Sequence, residues 1–219
     1  VLLAFVLLSA GAVAALRWVP PPTTAFMLRD ASGRRPLEYR WVDAAQMSAS
    51  LPYAVVAAED QKFPEHFGFD VESIREALDA HGDGEQLRGA STITQQVAKN
   101  LFLWSGRSFV RKVLEAYFTV LLEAFLPKDR ILEIYLNVAE FGPGVYGVEA
   151  AGEAYFAETA ARLSDAEAAL LAAVLPAPKT SSVVRPSGYV RERQRWILAQ
   201  MRRLERDGSL ASLEIAARR

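Results

Sequence analysis

Two acids in contrasting surroundings carry the chemistry this chain can do. The first is Glu59, which closes the apolar run AVVAA at residues 54–58 and is followed at once by Asp60, Phe63, His66 and Gly68. A carboxylate at the end of such a run loses hydration, which favours its neutral form and raises its pKa. That tuning gives a base able to take a proton from a hydroxyl near neutral pH. Adjacent helical residues diverge by about 100°, so Asp60 cannot share its face. The alternative is structural: Glu59 pairs with a base such as Lys62. His66 reads as a packed or hydrogen-bonded histidine rather than a metal ligand, because the only other histidine, His81, lies in a polar stretch.

The segment RGASTITQQVAKNLFLWSGRSFVRK, residues 88–112, holds Arg88, Lys99, Arg107, Arg111 and Lys112 and no acid. Ser91 is expected to cap a helix, with Gly89 letting a ligand approach the backbone. Thr92, Gln96 and Lys99 then fall at i, i+4 and i+7, beside the buried stripe Ile93–Val97–Leu101. Hydroxyl, amide and ammonium on one face suit phosphate oxygens. A solvated helix face is the alternative.

The second acid is Glu115, in RKVLEAYFTVLLEAF. Arg111 lies four residues before it and Lys112 three, so all three can meet. As a surface pair this stabilises a helix by only about 0.3–0.5 kcal/mol. Arg111, Glu115, Thr119 and Glu123 nevertheless form one polar stripe on an apolar helix. Facing a cleft, that stripe would hold Glu115 ionised among bases, tuned oppositely to Glu59.

The elements that must position these groups are mostly helices. The periodicity predicts helices over 93–101, 109–125, 131–138 and 188–204, with a capping box at Ser164–Glu167 opening another that ends before Pro176. Residues 20–50 read as a connector with short extended pieces around 37–42, and residues 51–219 as the main domain. No run of alternating strands appears, so the class is mainly α. The 219 residues carry no cysteine and a net charge of −1, which excludes thiolate zinc sites and disulfides and gives no reason to expect nucleic acid as a partner.

The opening VLLAFVLLSAGAVAAL is apolar except for Ser9 and Gly11, and Arg17, Trp18 and three prolines follow. A membrane span takes about 20 apolar residues. Residues 1–19 are therefore expected to be a transmembrane anchor truncated at its start, with Trp18 in the interfacial belt. A cleaved signal peptide and a buried core helix are the alternatives.

EDQKFPEHFGFD, GASTITQQVAKN, RKVLEA, KDRILEIYLN and EFGPGVYGVEAA resemble, in that order, the five motifs of the peptidoglycan glycosyltransferases, glycosyltransferase family 51. The likeness runs from about Met27 to about Leu204. LSDAEAALLAAVLPAP and PSGYVRERQRWILAQM are similar to the monofunctional, membrane-anchored branch.

The resemblance implies a lysozyme-like helical domain with a smaller membrane-facing lobe, preceded by an N-terminal transmembrane helix. It implies polymerisation of lipid II into β-1,4-linked glycan with inversion and release of polyprenyl pyrophosphate. Glu59 matches the general base, and Glu115 the second acid near the donor pyrophosphate, linked to a divalent cation, Mg²⁺ or Mn²⁺, bridged by substrate. Lys99 and Arg107 match phosphate-contacting bases, Arg111 and Lys112 complete the cradle, and Ser91 and Gln96 line the cleft. Asp60, Tyr135 and Asn137 are expected to be structural. The stretch Leu101–Trp104 is expected to dip into lipid. The implied partners are lipid II, nascent lipid-linked glycan, the bilayer, and cell-division or elongation proteins. The implied place is the bacterial cytoplasmic (inner) membrane, single-pass, with the catalytic domain on its outer face. The rival activities are a glycan-cleaving lysozyme or lytic transglycosylase, which needs no pyrophosphate cradle, and a non-catalytic lipid II-binding scaffold.

Overall fold

The computed structural model describes residues 1–33, 36–72, 75, 91–106 and 108–216. Among them, helix α3 (Ser50–Glu59) is the centre around which the rest assembles. Residues 50–57 are all buried, as expected of a helix that is apolar on every side. It packs against α6 (Lys128–Val138), α8 (Asp165–Val174) and α9 (Gly188–Arg206). This burial carries the chain to Glu59, the helix's last residue, which is only partly buried.

Helix α4 (Ile93–Phe102) lies between α5 (Phe109–Phe125) and α6. Its cap is Thr92, not Ser91 as expected. Thr92 accepts from Gln95 N while Gln95 Oε1 accepts from Thr92 N, a reciprocal capping box. Asp60 completes the start by accepting from Ile93 N at 3.0 Å, satisfying another orphan donor of the first turn. The Thr92 hydroxyl donates to Gly68 O at 2.7 Å. Gly68 has φ +76°, and a Cβ there would stand 2.7 Å from Thr119 Cγ2, so glycine alone fits this crossing of chain and helix.

The run Leu101–Trp104 faces the protein rather than lipid. Leu101 and Leu103 are buried at 8% and 1% exposure, and Phe102 stacks on Phe118 with centroids 4.3 Å apart. The Ile93–Val97–Leu101 stripe leads inward, and its continuation follows it. The exposed apolar side chains nearby are instead Phe109, Val110 and Val113, at the start of α5.

Residues 20–50 pack onto the domain through buried Thr24, Met27, Val42 and Met47, with a short helix α2 (Ala25–Leu28) against α4. Strand β1 (Glu38–Tyr39) pairs in parallel with β3 (Val145–Tyr146), and β2 (Glu140–Gly142) pairs antiparallel with β3. Asn137 fixes the connector beyond β1: its Oδ1 accepts from Val42 N and its Nδ2 donates to Val42 O and Glu133 O. Helix α7 (Val148–Phe156) follows this small sheet, and Ser164 and Glu167 form the expected capping box at α8. After Asp207 the chain turns back, burying Leu210, Leu213 and Ile215, and Ile215 N donates to Asp129 Oδ1.

Helix α1 (Leu2–Ala15) has 14 residues, and among the described residues no helix is long and apolar enough to cross a membrane. It lies along α5. Phe5 stacks on Tyr117, Ser9 Oγ and Tyr117 Oη are 2.6 Å apart, and Arg17 donates to Phe125 O. Leu2, Leu3, Leu7 and Leu8 stay exposed.

Candidate functional site

Glu59 lines a cleft of about 850 Å³, within the range of ligand pockets. Ser91, Gln96, Tyr189, Glu192, Arg193 and Trp196 share its walls. The two carboxylate oxygens differ. Oε2 accepts from Gln96 Nε2 at 2.9 Å, and Gln96 Oε1 in turn accepts from the buried Tyr135 hydroxyl at 3.2 Å. Oε1 is buried with no hydrogen-bond partner. Its nearest ion-pair partner is Arg193 Nη2 at 3.8 Å, while Lys62, the partner considered above, pairs with Glu72. Burial pushes the Glu59 pKa up, against the lowering effects of the Gln96 hydrogen bond and the charges of Arg193 and Lys99. The carboxylate is thus held by one oxygen and open at the other, and is more basic than an ordinary glutamate.

Asp60 turns away, as its neighbouring position requires, and accepts from Ile93 N and His66 Nε2. His66 is the hydrogen-bonded histidine expected. Among the described residues no group of three or more His, Cys, Asp or Glu side chains could hold a metal ion.

Lys99, one turn beyond Gln96 on α4, stands among Glu59, Glu115 and Arg111. Burial pushes its pKa down, Glu115 and Glu59 pull it up, and Arg111 adds to the lowering. Its ammonium lies 5.9 Å from the Phe26 ring centroid, so α2 walls that side. Glu115 is buried at 8% exposure, and its Oε2 accepts from Arg111 Nη1 at 2.6 Å. The polar stripe of α5 therefore faces α4 rather than solvent. Its far end is sealed, with Glu123 held by Thr94 and Lys128. Arg111 Nε is buried and unpartnered.

The structure therefore brings Glu59, Gln96, Lys99, Arg111 and Glu115 together, with Ser91 on the cleft wall. Lys112 does not join them: it is exposed, and among the described residues the ion pair of Glu115 is with Arg111. Gln96 lines the cleft and donates one of its two amide N–H bonds to Glu59 Oε2. Arg107, together with Arg88, Gly89 and His81, lies outside the described residues. Sequence reasoning missed Arg193, which donates to Ala58 O at 3.0 Å and so clamps the end of α3 beside the carboxylate. The signal was present as Tyr189, Arg193 and Trp196, at i, i+4 and i+7 on a helix otherwise rich in exposed charge.

An apolar-buried base beside a cationic pocket, with an open cleft between helices, can deprotonate a hydroxyl while stabilising a departing anion. Known proteins share the chain's pattern. A family model described as Transglycosylase matches residues 28–202. A biosynthetic peptidoglycan transglycosylase of Shewanella frigidimarina is 55% identical over 200 residues, covering 91% of this chain and 87% of that protein. One of Marinomonas sp. is 51% identical over 203 residues, covering 93% and 89%. One of Pseudomonas aeruginosa is 50% identical over 219 residues, covering 97% and 94%.

Proposed function

The chain belongs to the transglycosylase family, and from that premise we propose that it polymerises lipid II into β-1,4-linked glycan, acting on the outer face of the bacterial cytoplasmic membrane. The observation that carries the mechanism is the buried, unpartnered Oε1 of Glu59 in the cleft. This oxygen takes the proton from the 4-hydroxyl of the acceptor GlcNAc. The freed O4 electron pair forms the new bond to the donor's anomeric carbon from the face opposite the phosphate, so configuration inverts. The bond from that carbon to the pyrophosphate oxygen breaks, and its electron pair leaves with polyprenyl pyrophosphate.

Lys99 and Arg111 supply the charge that this departure requires. Fixed cations in a partly dehydrated site stabilise growing negative charge most in the transition state. Glu115 holds Arg111 through Oε2. A carboxylate with one oxygen engaged, outside any group of three or more ligating side chains among the described residues, fits a single protein ligand rather than a metal cage. Glu115 is accordingly the residue that would hold a Mg²⁺ or Mn²⁺ entering on the substrate. Such an ion, when bound, neutralises phosphate oxygens as a Lewis acid.

The substrate's polyprenyl tail lies in lipid, and the apolar faces of α1 and of the start of α5 support docking there. Residues 1–19 belong to a membrane anchor in this reading.

The test is lipid II polymerisation by purified wild type and Glu59→Gln, resolved as glycan ladders. Wild type forms polymer, and the variant binds lipid II but loses about 10²–10⁴-fold in rate. Equal polymer yield would remove Glu59 from the mechanism.

A further inference from the structure

We propose that Tyr189 and Trp196 form a stacking platform for the acceptor's sugar ring, the ring whose hydroxyl Glu59 deprotonates; this rests on the function proposed above. Helix α9 has a separate packing stripe, Val190, Ile197, Met201 and Leu204, all buried. Tyr189 and Trp196 are not part of it. They stand 66% and 45% exposed on a helix whose other exposed side chains are mostly charged, seven residues apart on one face. Burial in the core does not account for them. Both line the cleft that holds Glu59.

The chemistry of that wall fits a pyranose. Such a ring has a face of C–H groups that lies on an aromatic surface, and a rim of hydroxyls that needs fixed polar partners. The polar partners are in place between the two rings. Arg193 is tied to Ala58 O, stands 3.8 Å from Glu59 Oε1, and has its guanidinium carbon 5.8 Å from the Trp196 ring centroid. Its Nε is buried without a partner, as is Glu59 Oε1, so one donor and one acceptor of this wall are left unpaired. The wall does not fit a diphosphate. Glu192 lies on it, Arg193 is its one cation among the described residues, and Lys99 and Arg111 are not among its lining residues. A neutral ring therefore binds on the α9 side of Glu59, and the charged leaving group on the Lys99 side.

The full chain tests this in two ways. Wild type is first shown to polymerise lipid II; failure there sinks the function proposed above, not the platform. In Tyr189→Ala and Trp196→Ala, KM for lipid II rises about tenfold, as loss of about 1.4 kcal/mol of binding requires, while kcat stays within about threefold. Tyr189→Phe and Trp196→Phe regain most of the loss, since they keep a ring. Both alanine variants keep the wild-type melting temperature, because neither side chain is in the core. Saturation-transfer NMR with a GlcNAc–MurNAc disaccharide, free of phosphate and lipid, gives transfer to the sugar C–H protons in wild type. Trp196→Ala abolishes that transfer and Lys99→Ala retains it. Unchanged KM in both alanine variants, a fall confined to kcat, phenylalanine variants as weak as alanine, or disaccharide signals indifferent to Trp196 would each overturn the platform.

Discussion

At the scale of single residues, the site depends on a cost accepted at Glu59. Its folded pKa is raised by burial above the unfolded value of about 4.3. A group shifted that way stabilises the fold while protonated, and that contribution is lost as pH rises through the folded pKa. Glu59→Gln never ionises, so it escapes the loss. Its melting temperature should exceed that of wild type at pH 8, with the gap closing toward pH 4, and a lower value at pH 8 would contradict this account. Under the mechanism proposed above, the same shift should set the acid limb of the activity profile, because a base works only when deprotonated. Lys99, with its pKa pushed down by burial, should set the alkaline limb, because in that mechanism it works only when charged. Gln96 tunes the first limb: its N–H is the hydrogen bond that lowers the Glu59 pKa. In Gln96→Leu the acid limb of kcat against pH should move to higher pH while the alkaline limb stays; an unmoved acid limb would show that this bond does not tune the base.

At the scale of elements, positioning is done by groups that touch no substrate. Asn137, fully buried, pairs with both backbone groups of Val42 and ties the segment after β1 to α6. Asn137→Ala leaves a buried N–H and C=O unmet and should cost about 2–4 kcal/mol. In a chain of this size that is a fall of roughly 5–12 °C in melting temperature, read by calorimetry, and a fall under 2 °C would mean that water replaces the amide. Such contacts mark where sequence stopped being informative. Helix α5 was legible to its ends because Ser108 caps it and Pro127 follows its stop, and α8 because its capping box is contiguous. The cap of α4 was displaced by one residue, since Ser91 and Thr92 are both hydroxyls; Gln95, three after Thr92, is what distinguishes them. Glu59, Lys99 and Glu115 could be singled out from their local surroundings. Arg193 was marked only by its spacing from Tyr189 and Trp196, because its partner Ala58 lies far away in sequence and its helix offers several other arginines.

At the scale of the whole molecule, the question is which side meets lipid. Phe5 and Ser9 meet Tyr117, and Arg17 meets Phe125, so α1 and α5 run in the same direction. Phe109 therefore lies about 12 Å from Tyr117 along the axis, at 1.5 Å per residue, toward the N-terminal end of α1. The exposed Leu2 and Leu3 and the exposed Phe109, Val110 and Val113 consequently gather at one end. Lys99 interacts with Arg111 and Glu115 in the first half of α5, so under the function proposed above the pyrophosphate would be held toward the end where these apolar groups lie. An apolar patch of this kind marks an interaction surface rather than a packing remnant. Phe109→Ser with Val113→Ser removes two large apolar groups, each contributing about 1.5–3 kcal/mol when buried in lipid. In flotation with phosphatidylethanolamine–phosphatidylglycerol vesicles, the double variant should partition at least tenfold more weakly than wild type at unchanged melting temperature. Its rate on short-chain, water-soluble lipid II should stay near that of wild type, because Glu59, Lys99 and Arg111 are untouched. Equal flotation of the two proteins would turn this face away from the bilayer, and with it the direction in which the substrate enters the cleft.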